Sequence, residues 1–217
     1  MKIIYWIGHA FFKFASWLYG PYKVFNREKL REDLDGVLIA SNHVSFLDPP
    51  LVGIGYRKPV YYFARKTLFR NPIANWVLTR WQAIPVDQGN PELSILKKVI
   101  ALLKAGEKVV LFPEGERSWD GKLKEKGQAG VGMIVAKAKV PVVPVRLFGP
   151  EEVLPRGAKW PRRRKMCMVV GDTLDFSELI ASGELKGKAL YQEIADRIMA
   201  AMGELDAPPE FGGEAEA

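Results

Sequence analysis

The sequence predicts an α/β fold: a single layered domain with a mixed, partly parallel sheet flanked by helices, preceded by an N-terminal amphipathic, membrane-associated helix. Three observations lead there. Short apolar runs recur along the chain, each about the length of a buried strand. Stretches of helical spacing separate them, the pattern of strands alternating with helices around a layered sheet. The first 22 residues are apolar and hold eight of the 24 aromatic residues in the chain.

With 217 residues, one domain with a substantial core is expected. A net charge of +7 and a pI near 9.4 favour an acidic partner: an anionic membrane, a phosphorylated substrate or a nucleic acid. One cysteine excludes an internal disulfide framework and fits a reducing, intracellular setting. Cys167 lies among Met166, Met168, Val169 and Val170, which gives it a buried structural role. The two histidines form no cluster of metal-ligand spacing, so no metal site is expected.

The elements follow in order. At about 100° per residue, Lys2, His9, Lys13, Ser16 and Gly20 fall within roughly 60° of one another. The helix so drawn has a narrow polar stripe and a broad apolar face carrying Trp6, Phe11, Phe12, Phe14 and Trp17. His9 and Lys13 at its middle oppose an uninterrupted membrane span. The broken apolar run, with no small-residue cleavage site after it, opposes a signal peptide. An in-plane interfacial helix fits, with lysines reaching water and His9 meeting solvent or headgroups. The alternative is a core helix packed on the same domain.

Residues 23–35 are charged and read as a connector. The run 36–40 is a strand, a short helix starts at Pro49, and 59–64 is a second strand candidate. Residues 67–81 look helical with a break near Asn71-Pro72, and 83–86 is a short strand. Asn90 caps the next helix, with Pro91 at its first position, Gly106 beyond its end, and Leu93, Leu96, Ile100 and Leu103 on its core face. Residues 109–112 are a strand and 128–137 a helix of small residues. In 140–147, Pro141 and Pro144 predict a sheet edge or irregular pairing. The loop 151–165 carries Arg156, Lys159, Trp160 and the basic run Arg162 to Lys165. A strand at 166–170 and an amphipathic helix at 187–203 complete the folded part, and the acidic tail from Asp206 is expected to be disordered.

Two stretches carry chemistry. Directly after strand 36–40 stands Ser41-Asn-His-Val-Ser-Phe-Leu-Asp-Pro-Pro50. Asp48 precedes a proline suited to the first helical position, so Asp48 is a candidate N-cap and His43 lies in the turn before the helix. Residues five apart do not share a face of a regular helix, but an irregular turn lets His43 and Asp48 meet. A carboxylate on one ring nitrogen fixes the tautomer and leaves the other nitrogen as a base. The plain alternative is a capping Asp48 and an unrelated loop histidine.

The second stretch, Phe112-Pro-Glu-Gly-Glu-Arg-Ser118, leaves strand 109–112 where α/β sheets bind ligands. Gly115 permits close backbone approach, and Arg117 offers a bidentate fork for phosphate. The bland alternative is a surface pair between Glu114 and Arg117. No Gly-x-Ser-x-Gly elbow occurs, which leaves a serine hydrolase poorly supported. Ser45 is a conceivable nucleophile near His43, but direct transfer is the expectation.

Together, in this order and separation, the two stretches resemble the glycerolipid acyltransferase family, whose bacterial type enzyme acylates lysophosphatidic acid. The resemblance runs from about Val37 to Pro144, with Val140-Pro-Val-Val-Pro144 looking like the family's fourth block. It implies transfer of a fatty acyl chain from acyl-CoA or acyl carrier protein to the free hydroxyl of 1-acylglycerol 3-phosphate. The donor would be a co-substrate, with no further cofactor. His43 would be the general base oriented by Asp48, and Glu114, Gly115, Arg117 and Ser118 would bind the acceptor.

Two positions depart from the pattern. Glu116 stands where threonine is usual, and its extra negative charge opposes phosphate. Gln82 and Gln88 stand where a glycine and, six residues later, a phosphate-binding arginine are usual. The Gln88 amide donates hydrogen bonds but supplies no charge. Either Arg65, Lys66 or Arg80 compensates, or the acceptor differs from lysophosphatidic acid.

The expected organisation is therefore 1–30 as a membrane-association segment, 31–205 as the acyltransferase domain and 206–217 as the tail, on the cytoplasmic face of the cell membrane, monotopic or peripheral. The expected partners are a lysophospholipid, an acyl donor and an anionic membrane surface. Rival readings are acylation of another lysolipid and, outside the class, a non-enzymatic binder of anionic surfaces or nucleic acid through 156–165. Only Trp160 interleaves those basic residues, too little for a stacking platform, so no nucleic-acid partner is expected.

Overall fold

A computed structural model of the chain describes residues 2–86, 93–118, 120–155 and 157–211. Gln88, the Asn90-Pro91 cap, Arg156 and tail residues 212–217 lie outside the described residues. The helices are α1 (Lys2–Tyr19), α2 (Asp48–Gly55), α3 (Pro72–Arg80), α4 (Leu93–Lys104), α5 (Ala129–Ala138), α6 (Pro150–Val153), α7 (Ser177–Ser182) and α8 (Gly187–Gly203). The strands are β1 (Tyr22–Phe25), β2 (Val37–Ser41), β3 (Tyr62–Arg65), β4 (Ala83–Val86), β5 (Lys108–Leu111), β6 (Val142–Phe148) and β7 (Met166–Val170).

The main sheet has the order β1-β7-β6-β2-β5. Every neighbouring pair in it is parallel except β6 with β7. β3 and β4 form a separate parallel pair. Tyr61 hooks that pair onto β5: its N–H donates to the Lys108 carbonyl and its carbonyl accepts from the Val110 N–H, each at 2.8 Å. The carboxyl ends of β2, β3, β4, β5 and β6 therefore point to one edge of the molecule.

The sheet is buried on both faces, which explains why its strands read as continuous apolar runs. Val37 and Ile39 of β2 face one core with Val110, Val143, Val145 and α2. Leu38 and Ala40 face the other, with residues of α4, α5 and α8. This is the two-residue alternation of a strand. Truncating Ile39, fully buried, to alanine should cost ~2–5 kcal/mol. Helices α5 and α8 approach so closely that a Cβ on Gly132 would lie 1.8 Å from the Tyr191 carbonyl oxygen. Cys167 is buried at the β7 core, where desolvation pushes its thiol up to about 12.

Several expectations are corrected. Of the two readings of the proline-bearing segment, the sheet edge is overturned and the irregular pairing holds: β6 lies between β7 and β2 and has no donor at Pro144. It tolerates Pro144 because β7 ends at Val170, and the Pro144 carbonyl alone closes the last rung, accepting from the Gly171 amide at 2.9 Å. The charged connector 23–35 opens inside β1, which starts at Tyr22, and the loop 151–165 opens inside α6, which starts at Pro150. Of the expected tail, residues 209–211 form a short turn of helix, Ala207 is buried and Phe211 packs edge-on against Phe25.

Helix α1 is oriented opposite to a water-facing amphipathic helix. Two members of its polar stripe face the domain, with His9 Nε2 meeting the Tyr56 carbonyl at 3.3 Å and Ser16 buried, while Lys13 of the same stripe is exposed. His9 is half-buried against the domain, and burial lowers its pKa. Tyr5 is buried, its hydroxyl 3.4 Å from that of Tyr62. Phe12, expected on the membrane face, instead packs on Trp81 with ring centroids 4.6 Å apart. The opposite face carries Ile3, Ile7, Phe11 (62% exposed), Phe14 (60%), Trp17 (69%) and Leu18, with Trp6 beside them. Among the described residues no helix is long and apolar enough to cross a membrane.

Candidate active site

The turn after β2 is held by its own side chains. Asn42, buried, clasps the end of β6, its amide nitrogen donating to the Leu147 carbonyl at 2.9 Å and its oxygen accepting the Leu147 N–H at 2.8 Å. That clasp fixes the carboxyl ends of two neighbouring strands and sends the chain into the His43 turn. Its signal in the sequence was its place beside His43, but a 105-residue separation hides its partner.

His43 and Asp48 meet. His43 Nδ1 lies 2.8 Å from Asp48 Oδ2, and the same oxygen accepts the backbone N–H groups of Val44 at 2.7 Å and Ser45 at 2.8 Å. Asp48 is not the N-cap: it is the first residue of α2, after Leu47, and its carboxylate reaches back into the turn. Burial raises its pKa, opposed by His43 and by the two amides. Two backbone N–H donors on one oxygen favour a carboxylate over a carboxylic acid. With Asp48 ionised, His43 carries its hydrogen on Nδ1 and presents a lone pair on Nε2. Asp48 Oδ1 is buried without a hydrogen-bond partner. Ser45 is 1% exposed and its hydroxyl accepts the Leu47 amide, so it is placed as a strut of the turn and not as a nucleophile.

The loop after β5 grips this turn from the side. Glu114 Oε1 accepts the His43 backbone N–H at 2.8 Å, and the Ser118 N–H donates to the His43 carbonyl at 2.7 Å. The imidazole stacks on the Phe112 ring, centroids 4.1 Å apart at 20°. Gly115 occupies the left-handed region, φ 78°, which lets the loop reverse toward the turn. Glu114 is 1% exposed, and its second oxygen lies 3.4 Å from the Lys124 amide. Burial raises its pKa, with the two amides pulling the other way. In the structure Glu114 holds the turn in place, a role that sequence pattern did not suggest for it.

Arg117 lies over the Phe46 ring, its guanidinium carbon 3.6 Å from the centroid. Phe46 itself is 63% exposed, so the stacked pair sits at the surface of the turn. Glu116 pairs with Lys124 at 3.0 Å, which offsets the added negative charge. Ser118 is buried and its hydroxyl donates to Asp120 at 2.8 Å. Arg65 and Lys66 are exposed at the end of β3, on the same molecular edge but on the two-stranded sheet. They take no part in the hydrogen bonds that join the turn to the Glu114 loop.

Comparison with known proteins identifies the family. A family model described as Acyltransferase matches residues 22–147, more than half of the chain. A 1-acyl-sn-glycerol-3-phosphate acyltransferase of Bacillus subtilis is 36% identical over 82% of this chain and 89% of its own length. The Streptococcus pneumoniae protein of the same name is 27% identical over 71% of this chain and 56% of its own. The crystal structure of the 1-acyl-sn-glycerophosphate (LPA) acyltransferase PlsC from Thermotoga maritima superposes with a TM-score of 0.69 at 26% identity, covering 95% of this chain and 80% of that one. The chain belongs to the acyltransferase family.

Proposed function

We propose that this protein transfers a fatty acyl chain from acyl-CoA or acyl carrier protein to the free hydroxyl of 1-acylglycerol 3-phosphate, giving phosphatidic acid. The observation that carries the reading is the His43–Asp48 contact at the carboxyl edge of the sheet, in a chain whose relatives bear that activity in their names. His43 Nε2 takes the proton of the acceptor hydroxyl as its oxygen attacks the thioester carbonyl. The resulting tetrahedral centre expels the thiolate as the carbon–sulfur bond breaks, and the imidazolium returns the proton to sulfur. Asp48 holds the tautomer and stabilises the imidazolium between these steps. The reaction needs no cofactor beyond the acyl donor. Arg117 supplies charge for the acceptor phosphate, and Arg65 and Lys66 stand on the same edge to supplement it.

The acceptor is a lipid, and α1 places the enzyme where the acceptor is. Its exposed face of Ile3, Ile7, Phe11, Phe14 and Trp17 buries into the headgroup boundary of the membrane, on its cytoplasmic side, without crossing it. The deciding experiment gives purified protein labelled acyl-CoA and a panel of lysolipids, with products read by mass spectrometry. Phosphatidic acid should dominate and disappear with His43→Ala. Faster acylation of a zwitterionic lysolipid would overturn the acceptor assignment.

A further inference from the structure

A groove of about 710 Å³ runs between α1 and β1, on the other side of α2 from β2, and shares no residue with the His43 turn or the Glu114 loop. Lys13 of α1, Lys23 of β1, Arg27 just after it and Arg57 just after α2 line it, with Trp6 and Trp17 of α1 in its wall. No aspartate or glutamate lines it. The ion pairs of the described residues involve other side chains. Glu28, Glu32 and Asp33 border a neighbouring depression that Arg27 and Arg57 also line, and Glu32 there accepts the Arg57 backbone amide. Lys13, Arg27 and Arg57 thus bring three cations to this concave surface, while the Lys23 ammonium turns away to lie over the Phe211 ring, 5.7 Å from its centroid.

We infer that this groove binds the phosphate headgroup of an anionic membrane phospholipid, at a site separate from the catalytic edge. The inference rests on the reading of α1 as a membrane-associated helix. Trp6 and Trp17 belong both to the exposed face of α1 and to the groove wall, so a bilayer that receives the helix also meets the groove. Tryptophan at headgroup level beside lysine and arginine is the composition of an interfacial anionic-lipid contact. His9 lines the same groove, yet burial and repulsion from Lys13 and Arg27 depress its pKa. The positive charge of the site at neutral pH therefore comes from the lysines and arginines.

Co-sedimentation of the full chain with vesicles tests this. Vesicles of phosphatidylcholine alone are compared with vesicles of phosphatidylcholine mixed with phosphatidylglycerol. The wild type should bind both and prefer the mixed ones. The double variant Arg27→Gln/Arg57→Gln should bind mixed vesicles on the order of thirtyfold more weakly, and phosphatidylcholine vesicles as before. The control Arg162→Gln/Arg163→Gln, in the exposed basic loop, should keep the preference. Loss of preference in the control alone, or an unchanged preference in the groove variant, overturns the site. So does abolition of the preference by inorganic phosphate at constant ionic strength, because the groove would then be a site for free phosphate. Wild type that binds phosphatidylcholine but shows no preference overturns the groove and leaves the helix reading standing. Failure to bind either vesicle overturns both.

Discussion

The His43 turn and helix α1 both lie at the surface, and they are built by opposite rules. In the turn, polar groups meet one another inside the protein: Asp48 collects three N–H donors, and Glu114 and Ser118 hold the two sides of the His43 peptide. In α1, His9 and Ser16 turn inward to the Tyr56 carbonyl and the helix backbone, while Phe11, Phe14 and Trp17 stay outside. The turn supplies its own environment. The helix requires one that water does not provide, since a contiguous apolar face left in water costs free energy in proportion to its area. On the proposed reading, one small domain thus combines a rigid reactive site with a membrane-facing surface, each following its own rule.

The largest expected effect breaks the first half of this contrast. His43→Ala should lower acyl transfer by ~10²–10⁴-fold with vesicle binding close to wild type, while loss of the bond to the buried Asp48 should cost ~1–3 kcal/mol of stability. Turnover near wild type would remove the base from the turn. Replacing Phe11, Phe14 and Trp17 together by serine addresses the second half. If each half-buries in the interface for about 1 kcal/mol, vesicle affinity should fall about a hundredfold. Transfer to acceptor presented in detergent should be retained. Equal loss in vesicles and detergent would mean that these side chains serve the site rather than the membrane.

Arg117→Ala sharpens the division of labour within the turn. A hydrogen bond to a charged group is worth ~1.5–3 kcal/mol, so the apparent Michaelis constant for the phosphorylated acceptor should rise roughly ten- to hundredfold, with that for acyl-CoA little changed. A matching rise for both substrates would reassign Arg117 to support of the Phe46 side of the turn.

The smallest effect concerns Glu114, and it depends on pH. Burial raises its pKa, so the folded protein holds the proton more tightly than the unfolded chain. That contribution to stability is full below the ordinary glutamate range and is lost as pH climbs through the raised folded value. Glu114→Gln keeps an oxygen for the His43 amide but cannot ionise. Thermal melts across the acid-to-neutral range should show wild type losing stability relative to the variant as pH rises through that window. Parallel curves would mean that the carboxylate is as well solvated folded as unfolded.

Strands β2, β5 and β7 and helix α8 were legible because continuous apolar runs and helical periodicity are local properties, and their bounds fall within a residue or two of expectation. The His43–Asp48 pair was legible as two residue types flanking a strand end and a proline. Its partners were not. The Glu114 carboxylate bonds an amide 71 residues away, and Asn42 clasps a strand 105 residues away. Strand β1 reads as a charged connector because an edge strand of four residues carries little pattern until it pairs with β7. Pro144 argues against an inner strand until the end of β7 is known to leave it only one bond to make.

By itself the sequence determined the fold class, the two motifs and the aromatic wheel of α1, all of which rest on spacing within a few dozen residues. Only the tertiary structure decided which way that wheel turns. Nothing in the helical periodicity says whether the polar stripe meets solvent or the domain. The answer depends on the Tyr56 carbonyl at the end of α2, a hydrogen-bond acceptor that His9 satisfies and Phe14 does not. Likewise, residue types place His43 near Asp48, but the long-range hydrogen bonds from β5 and β6 fix the turn in which an imidazole can work. Local patterns are set by chain geometry, whereas orientation is set by the groups that happen to lie opposite once the sheet has formed.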